Sequence, residues 1–165
     1  MTVVRRIRPE EGAVLRDVRL AALADAPSAF GSTYARESLL KAEDWAERAR
    51  AGSAGSERAT FFAVSDDGIV GLVGGHSAEP TPSRVELVSM WTHPAARRAG
   101  VGRLLVDAVL DWARNLGAQT VGLWVTRGNE SAENLYRAMG FVDAGDRQPL
   151  PSDPSKEEIR MRVDL

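Results

Sequence analysis

The residues that most clearly suggest chemistry form one short basic segment, Arg97–Arg103, with the sequence RRAGVGR. An amphipathic stretch follows it, so its amide N–H groups would lie at a helix start, unpaired and within the positive end of the helix dipole. Gly100 and Gly102 let the backbone approach a bulky anion, and the arginines add charged donors. The segment therefore predicts an anion site that best fits a pyrophosphate. The alternative is an ordinary helix start with solvated arginines.

Two common nucleotide-binding motifs do not match this segment. A P-loop requires GxxxxGK[ST], and no lysine follows Gly102. A dinucleotide fingerprint requires GxGxxG, and Leu105 occupies the position of the third glycine. The anion site therefore belongs to neither of these classes of nucleotide-binding protein.

Composition limits the class of protein to which the site belongs. The chain has 165 residues, of which 44% are apolar and 27% are charged, as expected for a single soluble globular domain over residues 1–165. The formal net charge of −2 and the isoelectric point of about 5.7 argue against a nucleic-acid-binding module. No apolar run reaches the length of a membrane span, and the first residues do not resemble a signal peptide. We therefore expect no nucleic-acid or membrane partner and a cytoplasmic location.

Cysteine and histidine usage narrows the chemistry further. The chain contains no cysteine, which excludes disulfides, thiolate metal sites and an acyl-cysteine intermediate. Its two histidines, His76 and His93, are too few for most zinc sites, so we predict no metal.

Hydrophobic periodicity divides the chain into a largely helical first part and a β-rich remainder. The first part is predicted to contain a strand at Val3–Ile7, a helix opened by Pro9 and broken at Asp25-Ala26-Pro27, a less regular helical region at Ser28–Leu40 and a helix at Glu43–Ala51. The remainder is predicted to begin with two strands between Thr60 and Glu79 around the turn Asp66-Asp67-Gly68, followed by a Pro-rich loop and a strand at Arg84–Thr92. A helix at Val101–Leu116, a strand at Thr120–Thr126 and a helix between Asn129 and Gly140 come next. The chain is then predicted to form a short strand at Phe141–Ala144, a polar Pro-rich loop and a last strand at Glu158–Asp164. These elements predict an α/β domain with a mixed sheet of about seven strands.

Two of these segments resemble the GCN5-related N-acetyltransferases (GNAT family). Arg97-x-x-Gly100-x-Gly102 matches the family's [QR]-x-x-G-x-[GA] motif for acetyl-CoA, and the preceding SMWTHPAAR resembles its fourth strand and the turn after it. Downstream, RGNESAENLYRAMGF resembles the family segment with these matching positions: Asn129, Leu135, Tyr136, Gly140 and Phe141. The specific match covers about residues 84 to 142, and the rest of the chain agrees in general layout.

The resemblance implies a fold and a co-substrate. The GNAT fold is a mixed, mostly antiparallel sheet with helices on both faces, in which the fourth and fifth strands splay apart and acetyl-CoA enters the gap. The pyrophosphate would lie on the Arg98–Arg103 loop, and the pantetheine arm would bond to the main chain of the fourth strand. The implied cofactor-binding residues are Met90, Trp91, Thr92, Arg97, Arg98, Ala99, Gly100, Val101, Gly102, Arg103 and Asn129. The alternative for Asn129 is that it only caps its helix.

The resemblance also implies catalytic residues. Tyr136 would act as the acid that protonates the departing thiolate, or else it is a core aromatic residue. Glu86, eleven residues before Arg97, resembles the catalytic glutamate of the histone-acetylating branch, or else it is a solvated strand residue. His93 is a weaker candidate for the base. The branch that acetylates protein N-termini uses a fifth-strand glutamate, and Trp124 occupies that position here, so its mechanism is not supported.

Side-chain alternation along the predicted fourth strand decides which residues share a face. Regular alternation puts Glu86 and Val88 on one face, and Leu87, Ser89 and Trp91 on the other, unless a bulge intervenes. The same strand would supply both the candidate base and the main chain that holds the cofactor.

The sequence thus predicts an acetyl-CoA-dependent N-acetyltransferase that moves an acetyl group to a primary amine of a small molecule or protein, by direct transfer in a ternary complex. The alternative is a non-catalytic acyl-CoA-binding domain of the same fold. The resemblance also implies that residues 25–37 and 143–156 shape the acceptor pocket, with Phe30, Tyr34 and Trp45 lining it or belonging to the core. The identity of the acceptor is not readable from the sequence, and a homodimer remains open.

Overall fold

A computed structural model describes residues 1–77 and 83–165. The strands in this part of the chain are β1 (Val3–Arg6), β2 (Arg58–Ser65), β3 (Gly68–Ser77), β4 (Arg84–Thr92), β5 (Thr120–Thr126), β6 (Val142–Leu150) and β7 (Asp153–Asp164). The helices are α1 (Gly12–Asp25), α2 (Tyr34–Glu37), α3 (Ala42–Ser53), α4 (Val101–Asn115) and α5 (Glu130–Ala138), with short 3-10 turns at Pro27–Ala29 and Pro94–Ala96. None of the helices within these ranges has the length and apolar character needed to cross a membrane.

The described strands form one sheet in the order β1-β2-β3-β4-β5-β7-β6. All neighbouring pairs are antiparallel except β4 and β5, which run parallel. The β4–β5 pairing joins only Arg84–Glu86 to Thr120–Gly122, although both strands continue beyond that point. The predicted mixed sheet and the predicted splay of the fourth and fifth strands are therefore confirmed.

Helices cover both faces of the sheet, as expected. The consecutive residues Phe62 and Ala63 belong to different hydrophobic clusters, as do Leu72 and Val73, because successive side chains of a strand point to opposite faces. One cluster contains the apolar stripe of α4 together with Tyr136, and the other contains the buried residues of α1 and α3. The sheet is thus the middle layer of three.

A bulge interrupts β4 and corrects the expected alternation. Gly74 pairs with Val88 and Leu72 pairs with Trp91, so two residues of β4 lie opposite one residue of β3. Ser89 occupies the bulge with a φ of 58°. Leu87 therefore packs on the α4 side and Trp91 on the α1 side, which is the exception that the prediction made for a bulged strand.

The C-terminal part also departs from the sequence prediction. The short strand, Pro-rich loop and last strand predicted after Gly140 are instead two long strands, β6 and β7, which pair as a hairpin. β6 is an edge strand whose side chains are mostly exposed, so it lacks hydrophobic alternation and tolerates Pro149. The predicted helical region at Ser28–Leu40 is reduced to a 3-10 turn and one turn of α2. The predicted strand end at 78–79 and the Pro-rich loop at 80–82 lie outside the described residues.

Candidate active site

The start of α4 presents unpaired amides. Gly100 precedes the helix with a φ of 79°, a left-handed conformation that glycine adopts without strain. The first helical hydrogen bond is donated by the Leu104 amide to the Gly100 carbonyl, at 3.2 Å. Among the described residues no side chain caps this helix, so the amides of its first turn are available for an anion.

Gly102 packs the helix start against the end of β4. A Cβ atom at this position would lie 3.0 Å from Leu135 Cδ2 and 3.2 Å from Met90 Cε, which is tighter than ordinary contact. The start of α4, the end of β4 and α5 therefore meet around Gly102. The unpaired amides lie next to the part of β4 that has separated from β5.

The three arginines of the segment have different roles. Arg97 donates to the Thr92 carbonyl at 3.1 Å and to Asp25 Oδ2 at 2.5 Å, so it fixes the turn after β4 to the end of α1. A hydrogen bond from the Trp91 indole, assisted by Arg97, holds the pKa of Asp25 below its usual value. Arg98 and Arg103 are exposed and form no ion pair within the described residues, so they can contact an anion.

Tyr136 lies in the core below the splayed strands. Its side chain is 5% exposed, and its ring centroid lies 5.6 Å from that of Phe141. Burial raises the pKa of the Tyr136 phenol above its usual value. Within residues 1–77 and 83–165 its hydroxyl forms no hydrogen bond. Tyr136 is thus both a core aromatic residue and a protonated donor that lacks an acceptor.

Asn129 is the N-cap residue of α5. Its Oδ1 accepts a hydrogen bond from the Ala132 amide at 3.4 Å. This bond fixes the first turn of the helix that carries Tyr136. Contact between Asn129 and a cofactor arm stays a prediction.

A cleft of about 700 Å³ opens on the α1 side of the sheet. Its floor comes from β4, β5 and β7, and the loop Phe30–Ser32 lies over it. Three hydrogen bonds tie this loop region to the end of β5 and to the β6–β7 hairpin: Thr126 Oγ1 to the Ser28 carbonyl at 2.6 Å, Ser152 Oγ to the Phe30 carbonyl at 2.5 Å and Lys156 Nζ to Ser28 Oγ at 2.7 Å. The two segments predicted to shape the acceptor pocket therefore meet here.

The three aromatic residues predicted for this pocket divide between pocket, core and surface. Phe30 lines the cleft, whereas Trp45 is buried beside an adjoining cavity of about 710 Å³. Tyr34 is exposed and lines neither space.

Glu86 faces the cleft but is fully engaged by a cation. Both of its carboxylate oxygens accept hydrogen bonds from Arg160 of β7, one of them at 2.5 Å. The Arg160 side chain passes over Gly122 of β5, where a Cβ atom would collide with the guanidinium. The Cζ atom of the guanidinium lies 5.4 Å from the centre of the Trp124 ring. The hydrogen bond to Glu86 raises the pKa of Arg160. Glu86 is therefore not a solvated strand residue.

His93, the weaker candidate for the base, lies outside this cleft. Its Nδ1 accepts a hydrogen bond from the Ala95 amide at 3.1 Å in the turn after β4.

A buried ion cluster supports the β4 bulge. Glu37 is 3% exposed and accepts hydrogen bonds from Arg19, at 3.1 and 3.0 Å, and from Arg48, at 2.9 Å. Arg19 also donates to Ser89 Oγ at 3.2 Å. The cluster thus connects α1, α2 and α3 to the one residue of β4 that leaves regular strand geometry.

Sequence reasoning missed Glu37, Arg19 and the polar row of β7. The row has a signal in the sequence, because Glu158, Arg160 and Arg162 alternate with Ile159, Met161 and Val163. Such alternation predicts a strand with one core face and one polar face. No comparable signal marks Arg19 and Glu37, which lie eighteen residues apart on different helices.

Comparison with known proteins agrees with this architecture. Among curated proteins, streptothricin acetyltransferase from Streptomyces lavendulae is 35% identical over 86 residues, which are 52% of this chain and 46% of that protein. The chain spans less than half of the length of the curated relatives it matches.

Solved structures share the fold over the whole chain. An acetyltransferase of the GNAT family from Streptococcus pneumoniae has a TM-score of 0.82 at 20% identity, covering 100% of both chains. The yncA protein from Salmonella typhimurium, solved with its cofactor acetyl-CoA, has a TM-score of 0.75 at 16% identity, covering 100% of this chain and 94% of that chain.

The family match itself covers well over half of the chain. Residues 34–141 match the Acetyltransferase (GNAT) family, a range that contains the bulged and splayed β4, the start of α4 and Tyr136. The chain belongs to the Acetyltransferase (GNAT) family.

Proposed function

We propose that this protein is an acetyl-CoA-dependent N-acetyltransferase that transfers an acetyl group directly to a primary amine. The observation that carries the proposal is the separation of β4 from β5 after Glu86 and Gly122, beside the uncapped start of α4. Beyond Glu86, β4 offers main-chain groups that β5 does not use. An extended amide-containing chain that ends in a pyrophosphate complements such a gap.

The residues around the gap fit acetyl-CoA. The amides of Val101, Gly102 and Arg103, with the exposed Arg98 and Arg103 side chains, would hold the pyrophosphate. The main chain of Met90–Thr92 would bond to the pantetheine arm. When bound, acetyl-CoA supplies an activated thioester. Arg97 contributes indirectly, because its contacts with Thr92 and Asp25 position the loop.

Transfer requires a neutral amine and a protonated leaving group. An amine with a pKa of about 10.4 costs roughly 4.6 kcal/mol to deprotonate at pH 7. We assign this proton transfer to Glu86 acting through water, since both of its oxygens accept from Arg160 and a direct contact would require Arg160 to move. Tyr136 would donate its proton to the departing sulfur. A main-chain amide beyond the Ser89 bulge would hydrogen-bond the thioester oxygen as it gains charge.

The names of the similar proteins support the same reaction class. Streptothricin acetyltransferase is an acetyltransferase by name, and the Salmonella typhimurium structure contains acetyl-CoA. Neither identifies the acceptor of this chain.

Replacement of Gly100 tests the cofactor site. Gly100→Val places a branched side chain at the helix start, and we expect acetyl-CoA affinity, measured by calorimetry, to fall at least about tenfold as the pyrophosphate is kept away. Gly117→Val is the matched control, because Gly117 has the same φ of 79°, equally open surroundings and a place at the other end of α4. Each change carries the same left-handed strain of about 1–2 kcal/mol. Equal acetyl-CoA affinity in the two folded variants would contradict the proposed site.

A further inference from the structure

Glu158 is a buried carboxylate that faces the cleft without a cationic partner. Its residue is 8% exposed and lines the cleft together with Trp124 and Arg160. Gln148 Nε2 donates a hydrogen bond to Glu158 Oε2 at 2.7 Å, which satisfies one oxygen without neutralising the charge. Within the described ranges 1–77 and 83–165, no Lys, Arg or His forms an ion pair with Glu158. Burial of a carboxylate without a counter-charge is unfavourable unless a ligand supplies that charge.

The arginines that line the cleft are already committed to other carboxylates. Arg160 is bound to Glu86, Arg84 Nε lies 3.7 Å from the same carboxylate, and Arg19 is bound to Glu37. Among residues 1–77 and 83–165, each arginine of the lining is thus ion-paired with a carboxylate, whereas the Glu158 carboxylate has no cationic partner. The electrostatics of the lining favour a cation.

Strand geometry puts Glu158 beside the proposed site of transfer. It pairs with Thr126 of β5, so it shares a sheet face with Trp124 and lies two residues from Arg160 on β7. Glu86 lies on the same face through its contact with Arg160. Glu158, Arg160 and Glu86 thus form one polar row on this face. An amine held at Glu158 would therefore lie along that row, which leads to the gap between β4 and β5.

We propose that Glu158 binds the protonated amine of the acceptor, and that the acceptor is a cationic primary amine without a neighbouring carboxylate. This inference rests on the proposed acetyltransferase function and adds the charge class of its substrate. The ammonium donates hydrogen bonds to Glu158, while the Gln148 contact keeps the carboxylate oriented. A zwitterionic amino acid brings a carboxylate for which this lining has no unpaired arginine among the described residues.

Two amines of equal chain length test the inference. Butylamine and 4-aminobutanoate both carry a primary amine, and only the second carries a carboxylate. With acetyl-CoA as donor, we expect wild-type kcat/KM to be at least about tenfold higher for butylamine, because a charge-assisted hydrogen bond is kept and an unpaired anion is avoided. Equal use of both amines, preference for 4-aminobutanoate or failure to acetylate butylamine would overturn the inference.

A neutral, isosteric replacement isolates the charge of Glu158. Glu158→Gln retains an oxygen for Gln148, so the fold should survive, as thermal unfolding would verify. KM for butylamine should rise about tenfold or more, whereas acetyl-CoA affinity by calorimetry should not change. Glu157→Gln is the control, since Glu157 pairs with Arg127 outside the cleft and should leave KM unchanged. A wild-type KM in Glu158→Gln would overturn the assignment of Glu158.

The two proposals fail in different ways. If other amines are acetylated while butylamine is not, the acceptor class is wrong and the acetyltransferase function stands. If wild-type protein does not bind acetyl-CoA, the proposed function itself fails.

Discussion

Burial raises the pKa of the Tyr136 phenol, so the group stays protonated at neutral pH but is a weaker acid than an exposed tyrosine. The raised pKa means that the phenol remains neutral throughout the working range of an ordinary enzyme. The unpaired hydroxyl can donate to a thiolate without first breaking a bond to a described residue. A buried donor also loses little to competition with water. We propose the acid role for Tyr136 because its hydroxyl is unpaired among the described residues, and not because of its raised pKa.

Removal of the Tyr136 hydroxyl tests this role. Tyr136→Phe keeps the ring that packs against Phe141, so we expect the fold to survive and kcat to fall by roughly 10²-fold, the usual effect of losing a general acid. Acetyl-CoA affinity should change little, since the proposed phosphate contacts lie at α4. Tyr34→Phe, at the other tyrosine of the chain, is exposed and should retain the wild-type rate. A full-rate Tyr136→Phe protein would remove Tyr136 from the mechanism.

At the scale of elements, the ion cluster around Glu37 holds the helices against the bulged strand. Arg19 contacts both Glu37 and Ser89, so the position of the bulge depends on α1 and α2. Burial acts to raise the pKa of Glu37, but hydrogen bonds from Arg19, Ser32 and Arg48, together with the charge of Arg19, outweigh it and leave the pKa lowered. The cluster therefore stabilises the folded protein in its ionised form.

Replacement of Glu37 should destabilise the protein in a pH-dependent way. Glu37→Gln leaves Arg19 buried without its counter-charge, and we expect a loss of about 3 kcal/mol in the free energy of unfolding at neutral pH, measured with urea. A lowered folded pKa contributes stability above the unfolded value, near 4.5, which is lost as pH falls through the folded pKa. The difference between variant and wild type should thus shrink below about pH 4.5. Glu47→Gln, which removes an exposed pair with Arg50, should cost less than ~1 kcal/mol. A pH-independent difference would contradict this account.

Elements with a strong local signal were predictable from the sequence, and elements defined by their neighbours were not. The α4 stripe and the hairpin turn at Asp66-Asp67-Gly68 carry their own pattern, and both appear where expected. β6 has no apolar face to reveal it, because it lies at the sheet edge and pairs only with β7. The bulge at Ser89 arises from contacts with β3 and Arg19, which are distant in sequence.

The candidate site likewise combines residues that a local motif predicts with residues whose partners are distant in sequence. The Arg97–Arg103 segment could be found because a local motif forms it, and its glycines lie at the start of α4 as expected. The engagement of Arg97 by Asp25, and of Glu86 by Arg160, could not be found, since each pair joins residues more than seventy positions apart.

At the scale of the whole molecule, β4 connects two openings. The gap toward α4 would hold acetyl-CoA, and the cleft on the α1 side would hold the amine, so both substrates reach the same bulged strand from different sides. Such an arrangement allows both to be bound at once. It does not require the protein to carry the acetyl group itself, and the chain contains no cysteine that would do so.

An initial-rate study that follows free CoA and acetylated amine together tests the central claim most directly. With acetyl-CoA and amine varied against each other, the account predicts intersecting double-reciprocal lines, the pattern of a ternary complex, and one acetylated amine for each CoA released. Parallel lines would indicate an acyl-enzyme and contradict direct transfer. Binding of acetyl-CoA without any amine-dependent release of CoA, across a panel of primary amines, would contradict the enzymatic function and favour a non-catalytic acyl-CoA-binding domain.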